Sequence, residues 1–234
     1  MTALYFEIMN IDAKNPKMDM RDRFVLSKGH CVEALYATLE ACGFIGKELV
    51  DTLGKYQSPL AGHPTIEVPG IEVNSGALGH GLPIGVGMAI AAKMDNKSYK
   101  TFVLMGDGEQ GEGSIYEAAM AGSHYHLDNL VAIIDRNMLQ ISGCTEDVMS
   151  LEDMNARWTA FGWDVIEMNG DDMEDIISKF KSIDYTNKKP HLIISHTTKG
   201  KGVSFMENVA KWHHGVPTEE QYQIAIKEIE ERVL

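Results

Sequence analysis

Short apolar runs alternate with segments of helical periodicity along most of the chain. Runs of strand length lie at residues 24–26, 102–105, 130–134, 163–168 and 191–196. Helical spacing is found at 32–42, 82–94, 151–160 and 172–180, and a helix of small residues is expected between the second and third strands. Strands that alternate with helices pair in parallel through right-handed crossovers. The sequence therefore predicts an α/β fold with a parallel sheet flanked by helices.

Both ends of the chain have helical patterns. Residues 1–9 show helical apolar spacing with no capping residue before them, so we expect the chain to begin inside a helix. Thr218 and Gln221 match a capping box before an amphipathic helix that ends near Leu234. At 234 residues the chain is long enough for one large core, and we predict a single domain over 1–234.

The segment 58–81 is rich in glycine, proline and other turn residues. Loops of this length inside a compact domain usually serve a function. The helix that follows carries small residues at Gly85, Gly87, Ala89 and Ala91, which let another backbone come close. Tight packing in the protein's own core and contact with a second subunit both explain this pattern, and we favour the subunit contact.

Composition and charge narrow the class of protein. Hydrophobic residues make up 44% and charged residues 24%, as in ordinary globular proteins. A net charge of −13 argues against a nucleic-acid-binding surface. The longest apolar stretch, 82–92, is too short to cross a membrane, and we identify no targeting segment. Three cysteines without CxxC spacing suggest neither a zinc site nor disulfides, which fits a reduced, cytoplasmic setting.

Two side chains with oxygen ligands follow neighbouring predicted strands. Gly106-Asp107-Gly108 ends the run at 102–105, and Asn137 follows the run at 130–134. Parallel strands end at one edge of the sheet, so Asp107 and Asn137 could share one Mg²⁺, which prefers oxygen ligands and retains phosphate oxygens. Gly-Asp-Gly alone is more often a turn. Here the glycines permit close approach of a ligand and the next helix offers N–H groups, which together predict a site for a metal-bound diphosphate.

An acidic protein that binds a phosphorylated molecule needs local cationic donors. The candidates for this role are Arg21, Arg23, Lys28, Lys199 and Lys201, and they are equally well explained as solvated charges.

A lone histidine is more often structural than catalytic. We expect structural roles for His124, His126, His191 and His196.

Several motifs together carry a family resemblance. Gly106-Asp107-Gly108, followed about 30 residues later by Asn137, resembles the thiamine diphosphate motif of transketolases. The blocks at 21–30, 62–64, 76–81 and 199–207 also resemble transketolase segments, in the order expected for that family. The resemblance covers nearly the whole chain. It implies the thiamine diphosphate-binding fold, with thiamine diphosphate and Mg²⁺, or Ca²⁺ or Mn²⁺, as cofactors.

The resemblance also implies an activity and a partner. Transketolases transfer a two-carbon ketol unit from a ketose phosphate to an aldose phosphate. This sequence is similar to the first subunit of two-chain transketolases, whose partner is a C-terminal subunit with a pyrimidine-binding domain. We expect a heterotetramer that self-associates through its small-residue helices, and little activity from this chain alone.

The resemblance assigns roles residue by residue. Asp107 and Asn137 would bind the metal through their side chains, and Leu139 through its carbonyl oxygen. The other implied cofactor contacts are His63, Gly76, Leu78, Gly106, Gly108 and Glu109. The implied catalytic histidines are His30, His63 and His214, with His213 as the competing assignment for the last. Glu112 lies where the family has a carboxylate near the subunit contact, but it equally complements a helix dipole.

Two features depart from the family pattern. Transketolases carry an SGHPGG-type stretch with a further histidine before the helix at 1–9, and His80 stands where they commonly have glutamine. The first departure leaves open a misplaced start, a truncated chain or a catalytically impaired one. The rival hypotheses are therefore a subunit that serves assembly without catalysis and a first domain like that of deoxyxylulose-phosphate synthase. A Mg²⁺-dependent phosphohydrolase is a weaker hypothesis, because no second aspartate follows Asp107 at DxD spacing. A Rossmann dinucleotide site is also weaker, because we do not interpret 106–113 as a GxGxxG motif with a ribose-binding acid after the next strand.

Overall fold

The computed structural model describes residues 1–233. Its main sheet has five parallel strands in the order β1-β2-β3-β7-β6. The strands are β1 (Arg23–Leu26), β2 (Thr101–Gly106), β3 (Leu130–Arg136), β6 (Asp164–Asn169) and β7 (His191–His196). All five predicted strands are confirmed, with ends that move by at most two residues. A small antiparallel hairpin, β4 (Leu139–Gln140) with β5 (Gly143–Cys144), follows β3 and was not predicted.

Helices cover the sheet. They are α1 (Val32–Ala41), α2 (Lys47–Val50), α3 (Gly81–Met94), α4 (Gly113–His124), α5 (Thr145–Val148), α6 (Met154–Ala160), α7 (Met173–Lys181) and α8 (Glu219–Val233). The amino-terminal segment is helical as predicted, with a π-helical part at Leu4–Ile8. Short 3₁₀ turns occur at Gly29–Cys31, Gly108–Gly111 and Ala210–His213. The short helices α2 and α5 were not predicted, because four residues are too few to show a period. The predicted end of α8 at Leu234 lies outside the described residues.

The sheet separates two apolar cores. One contains buried residues of α3, α4 and α6, with Val103, Met105 and Trp158 among them. The other lies under the amino-terminal helix, α1 and α7, and includes Phe102 and Phe180. Because both faces of the central strands are covered, these strands read as continuous apolar runs rather than as alternating ones.

Helix α3 uses its small residues on two sides. A Cβ atom at Gly85 would lie 2.4 Å from Cγ2 of Val103, and Ala89 is buried, so these two residues pack α3 tightly on β2. Gly87 and Ala91 are exposed. Two of the four small residues, Gly85 and Ala89, thus pack in the protein's own core. For the exposed pair, Gly87 and Ala91, a subunit contact stays a prediction. None of the helices described is long and apolar enough to span a bilayer.

His191 begins β7 and is fully buried. Its Nδ1 lies 3.3 Å from a carboxylate oxygen of Asp164, but neither ring nitrogen makes a hydrogen bond of good geometry to residues 1–233. Burial lowers the pKa of His191 from its usual value of 6.5, although the Asp164 carboxylate acts in the opposite direction. The folded protein therefore holds this imidazole neutral at pH values at which the unfolded chain protonates it.

This difference predicts acid sensitivity. Below pH 6.5 the unfolded chain binds a proton that the folded chain does not, so the free energy of unfolding falls as the pH falls, by up to about 1.4 kcal/mol per pH unit for this group. Urea unfolding followed between about pH 7.5 and pH 5.5 should show a shallower pH dependence for His191→Leu than for the unchanged protein. His124→Leu, at an exposed histidine, is the control and should keep the full dependence. Equal slopes for all three proteins would contradict the assignment.

Met138 lies in the turn between β3 and the β4–β5 hairpin, with φ of 66°. A long side chain in this left-handed region is strained, whereas glycine is not. We predict that Met138→Gly is more stable than Met138→Ala by about 1 kcal/mol. At Met120, an exposed residue inside α4, the order should reverse, with alanine better by about 1 kcal/mol. Thermal unfolding of the four variants tests the sign, and alanine preferred at both positions would exclude strain at Met138.

Candidate functional site

A cleft of about 160 Å³ opens at the carboxyl ends of β1, β2 and β3. It brings together eight of the residues predicted from the sequence: His30, Leu78, Gly106, Asp107, Gly108, Glu109, Asn137 and Leu139. Lys28, Lys199 and His213 also line it. A larger cavity of about 660 Å³ adjoins the cleft and shares Lys28, Asn137 and Lys199 with it. Segments far apart in sequence thus meet at one edge of the sheet.

Asp107 follows β2 and has only 2% of its surface exposed. Its Oδ1 accepts a hydrogen bond from the N–H of Gly108 at 2.8 Å, and its Oδ2 accepts one from the N–H of Met138 at 2.7 Å. Burial raises the pKa of Asp107, while these two hydrogen bonds and the Arg136 guanidinium oppose the shift. A carboxylate has about four lone-pair positions. Oδ2 also accepts from Arg136 Nη1 at 3.5 Å, so Oδ1 is the oxygen that keeps capacity for a further ligand.

Asn137 and Leu139 follow β3 directly. Asn137 is 8% exposed, and its Oδ1 accepts the N–H of Leu139 at 3.1 Å, which fixes the amide within the turn. No cluster of three or more His, Cys, Asp or Glu side chains suited to a metal exists among the described residues. A metal ion bound by Asp107 would therefore complete its six oxygen ligands with neutral oxygens of the protein and with oxygens of a bound molecule. The donors at Asn137 and Leu139 fit an oxygen-preferring ion such as Mg²⁺.

The glycines around Asp107 differ in the space beside them. A Cβ atom at Gly106 would meet nothing closer than Cδ of Lys28 at 3.9 Å, so the backbone there borders open space. A Cβ atom at Gly108 would lie 3.1 Å from the Gln140 side chain. A 3₁₀ turn at Gly108–Gly111 separates Asp107 from α4. The N–H groups that directly follow Asp107 therefore belong to this 3₁₀ turn, since α4 begins only at Gly113, and a contribution of the helix N–H groups to ligand binding stays a prediction.

Arg136 holds the turn that carries the candidate metal ligands. Its guanidinium donates to Thr145 Oγ1 at 2.9 Å and to Glu146 Oε1 at 2.6 Å, and it lies 3.5 Å from Asp107 Oδ2. The hydrogen bond from Arg136 lowers the pKa of Glu146 to about 2. Sequence reasoning missed this cluster, because its partners come together only through the β4–β5 hairpin, which has no recognisable pattern.

Two lysines reach the cleft, and the other cationic candidates do not. Lys28 pairs with Asp135, whose other oxygen accepts a hydrogen bond from Thr197. Burial acts against the charge of Lys28, but the Asp135 carboxylate raises its pKa overall. Burial and the charge of Lys28 lower the pKa of Lys199. Asp135 and Thr197 were also missed, although the rule that ligands bind at the carboxyl ends of parallel strands would have found both.

The remaining cationic candidates have other partners. Arg21 forms an ion pair with Glu72, and Arg23 approaches the same carboxylate at 3.9 Å. Lys201 lies 3.8 Å from Asp171. Lys201 lines the larger cavity, whereas neither Arg21 nor Arg23 lines the cleft or that cavity.

Two histidines stack at the mouth of the cleft. The rings of His30 and His213 are 5.2 Å apart, and Lys199 Nζ lies 3.3 Å from His213 Nδ1. Burial and the neighbouring Lys199 and His30 lower the pKa of His213 to about 4. Partial burial lowers the pKa of His30 as well, and the positive charges of Lys28 and Lys199 act in the same direction. Both rings are therefore neutral near pH 7.

Three predicted site residues lie outside the cleft lining. The His63 ring packs on Gly76, where a Cβ atom would come within 2.3 Å of its Cδ2, and Gly76 in turn lies against Gly29. His63 and Gly76 thus pack against the turn that carries His30 without lining the cleft. His214, which the resemblance favoured, is exposed, and its neighbour His213 occupies the cleft instead. The geometry therefore favours the competing assignment.

Glu112 and His80, singled out for their position, lie beside the cleft rather than in it. Glu112 is exposed at the start of α4, and its side chain packs against Gly79. His80 is exposed, with Nδ1 3.1 Å from the carbonyl oxygen of Leu78. Neither residue lines the cleft.

Known proteins resemble this chain throughout its length. Residues 1–230 match the family described as transketolase, thiamine diphosphate binding domain. The chain is 76% identical over 233 residues to an apulose-4-phosphate transketolase subunit of Phocaeicola vulgatus, in a match that covers 100% of this chain and 83% of the relative. It is 41% identical over 231 residues to the 6-deoxy-6-sulfo-D-fructose transketolase subunit SqwG of a Clostridium species, covering 98% and 84% of the two chains.

A solved structure confirms the predicted fold. Transketolase from Campylobacter jejuni superposes with a TM-score of 0.91 at 33% identity, over 97% of this chain and 37% of that one. This chain thus spans little more than a third of the solved enzyme. The chain belongs to the transketolase family and carries its thiamine diphosphate-binding domain.

Proposed function

We propose that this chain is the cofactor-binding subunit of a two-chain transketolase that moves a two-carbon ketol unit from a ketose phosphate to an aldose phosphate. The observation that supports this most strongly is the meeting of Asp107 and Asn137 in one cleft, beside the cationic side chains of Lys28 and Lys199. Oxygen ligands next to cations suit a divalent ion that carries a diphosphate.

The residues present fit thiamine diphosphate with Mg²⁺, or with Ca²⁺ or Mn²⁺ in its place. Asp107, Asn137 and the Leu139 carbonyl would hold the ion, and Lys28 and Lys199 would offset the negative charge of the phosphates. When bound, thiamine diphosphate supplies the nucleophilic carbon and the electron sink that cleavage beside a ketone requires. The protein's part is to bind, orient and exchange protons.

His30 and His213 are suited to proton exchange with a sugar. A neutral imidazole has one N–H donor and one acceptor nitrogen, so it can bind a hydroxyl group and take or return its proton. Lys199 beside His213 favours this neutral form. We place the two rings at the substrate side of the cleft, where they would contact the carbonyl or hydroxyl groups of the ketose.

A partner chain would complete the site. Both relatives are named as subunits, and the solved transketolase is more than twice as long as this chain. We infer a partner that contributes the pyrimidine-binding domain, and self-association through the exposed faces of α3 and α4. We further propose apulose 4-phosphate as the ketose donor, because the relative that is 76% identical is named for that substrate.

Coexpression of this chain with its partner tests the proposal. The purified pair should transfer a ketol unit from apulose 4-phosphate to an aldose phosphate, and each chain alone should be nearly inactive. Asp107→Asn should lower the rate by at least about 100-fold, because it removes the charged ligand of the ion. Transfer from 6-deoxy-6-sulfo-D-fructose at a higher kcat/KM would overturn the donor assignment, and full activity of this chain alone would overturn the two-chain proposal.

The same assay separates the two adjacent histidines. His213→Asn should lower kcat by about 100-fold, the usual range for loss of a general acid or base. His214→Asn, one position further, should stay within about twofold of the unchanged protein, since exposed surface side chains seldom affect a site they do not contact. The opposite result would return the catalytic role to His214.

A further inference from the structure

The side chain of Glu109 is buried where three segments of the cleft meet, with only 2% of its surface exposed. Its Oε1 accepts hydrogen bonds from the Ser27 hydroxyl and, at 2.8 Å, from the N–H of Gly79. Its Oε2 accepts the N–H of Gly106 at 3.0 Å. One carboxylate thus contacts the end of β1, the loop before α3 and the end of β2.

Each of these segments carries a residue of the candidate site. Ser27 directly precedes Lys28 and the turn with His30, Gly79 directly follows Leu78, and Gly106 directly precedes Asp107. The Glu109 carboxylate is therefore a contact that three segments share: the turn with Lys28 and His30, the loop with Leu78, and the end of β2 before Asp107.

The packing around Glu109 leaves little freedom to these segments. The Ser27 hydroxyl oxygen also accepts the N–H of Gly81 at 3.2 Å, and a Cβ atom at Gly81 would come within 2.3 Å of that oxygen. Ser114 Oγ donates to the Gly79 carbonyl oxygen at 2.8 Å. Both oxygens of Glu109 are occupied by the protein's own donors.

The charge of Glu109 makes these contacts depend on one another. Its hydrogen-bond partners are all neutral, and no lysine or arginine of the described residues forms an ion pair with it. A buried carboxylate is costly unless its hydrogen bonds are complete, and bonds to a charged acceptor are stronger than neutral ones. Displacing one segment therefore weakens the hold on the other two.

We propose that Glu109 is a positioning residue that does not itself bind the cofactor. It fixes three segments relative to one another: the turn with Lys28 and His30, the loop with Leu78, and the end of β2 before Asp107. This inference rests on the proposed function for its effect on cofactor affinity. The coupling of the three segments stands on the hydrogen bonds alone.

Glu109→Gln is the most direct test. In either orientation of the new amide its NH₂ group faces a backbone N–H, that of Gly79 or that of Gly106, so at least one contact is replaced by a repulsion. Ser27→Ala removes a single donor and serves as the milder variant if Glu109→Gln folds poorly. Glu230→Gln makes the same change at an exposed glutamate of α8 and is the matched control.

Hydrogen exchange by mass spectrometry on the complete chain is the first readout. Exchange in Glu109→Gln should be faster by about tenfold or more in the segments 27–31, 76–81 and 106–111, as loss of a charged hydrogen bond predicts. Exchange in β3 and β7 should remain unchanged. Ser27→Ala should show a smaller effect in the first two segments. Unchanged exchange at all three segments, or equal acceleration in β3, would overturn the inference.

Titration of thiamine diphosphate with Mg²⁺ into the complex with the partner is the second readout. The Kd should rise by about tenfold or more in Glu109→Gln and stay unchanged in Glu230→Gln. Faster exchange with an unaltered Kd would mean that the coupling does not serve the cofactor, and the positioning role would be wrong. If the unchanged complex binds no thiamine diphosphate, the proposed function fails, while the exchange data still decide whether Glu109 couples the segments.

Discussion

The parallel register of β2 against β3 is the constraint on which the site depends. Gly106 lies beside Asp135, so the two strands end level with each other, and the N–H of Asp107 donates to the Asp135 carbonyl oxygen at 3.3 Å. Asp107 and Asn137 leave these strands within one or two residues, before either segment can diverge. A shift of the register by one residue would displace Asp107 along the sheet edge relative to Asn137 by about 3.3 Å and would exchange the side chains that face the two cores. The oxygen ligands meet because the apolar cores on both faces fix that register.

Around this edge the charged groups are arranged in pairs that keep the centre open. Lys28, which is partly buried, pairs with Asp135, and the buried Arg136 pairs with Glu146 and lies 3.5 Å from Asp107 Oδ2. Both cations are thus balanced while Asp107 Oδ1 stays available. Lys199 lacks such close compensation, and its pKa is lowered by burial and by Lys28. A cleft with an available carboxylate oxygen and an under-compensated cation suits a ligand that brings both a metal ion and phosphates.

The sequence could predict the features that periodicity and strand-end chemistry determine. The five strands are recognisable because both faces are covered, and Asp107 and Asn137 stand out because they follow such runs. The cluster around Arg136 could not be predicted, since a hairpin of two-residue strands has no hydrophobic pattern. The choice between His213 and His214 depends on where the 3₁₀ turn Ala210–His213 ends. Because the two residues are adjacent and identical, the sequence alone does not distinguish them.

A crystal structure of the chain grown with thiamine diphosphate and Mn²⁺ tests the central claim most directly, because Mn²⁺ can be located by its anomalous scattering. We predict one ion about 2.1 Å from an Asp107 carboxylate oxygen, from the Asn137 amide oxygen and from the Leu139 carbonyl oxygen, with diphosphate oxygens completing its coordination. A diphosphate bound elsewhere, or an ion held by Asp107 without Asn137, would contradict it.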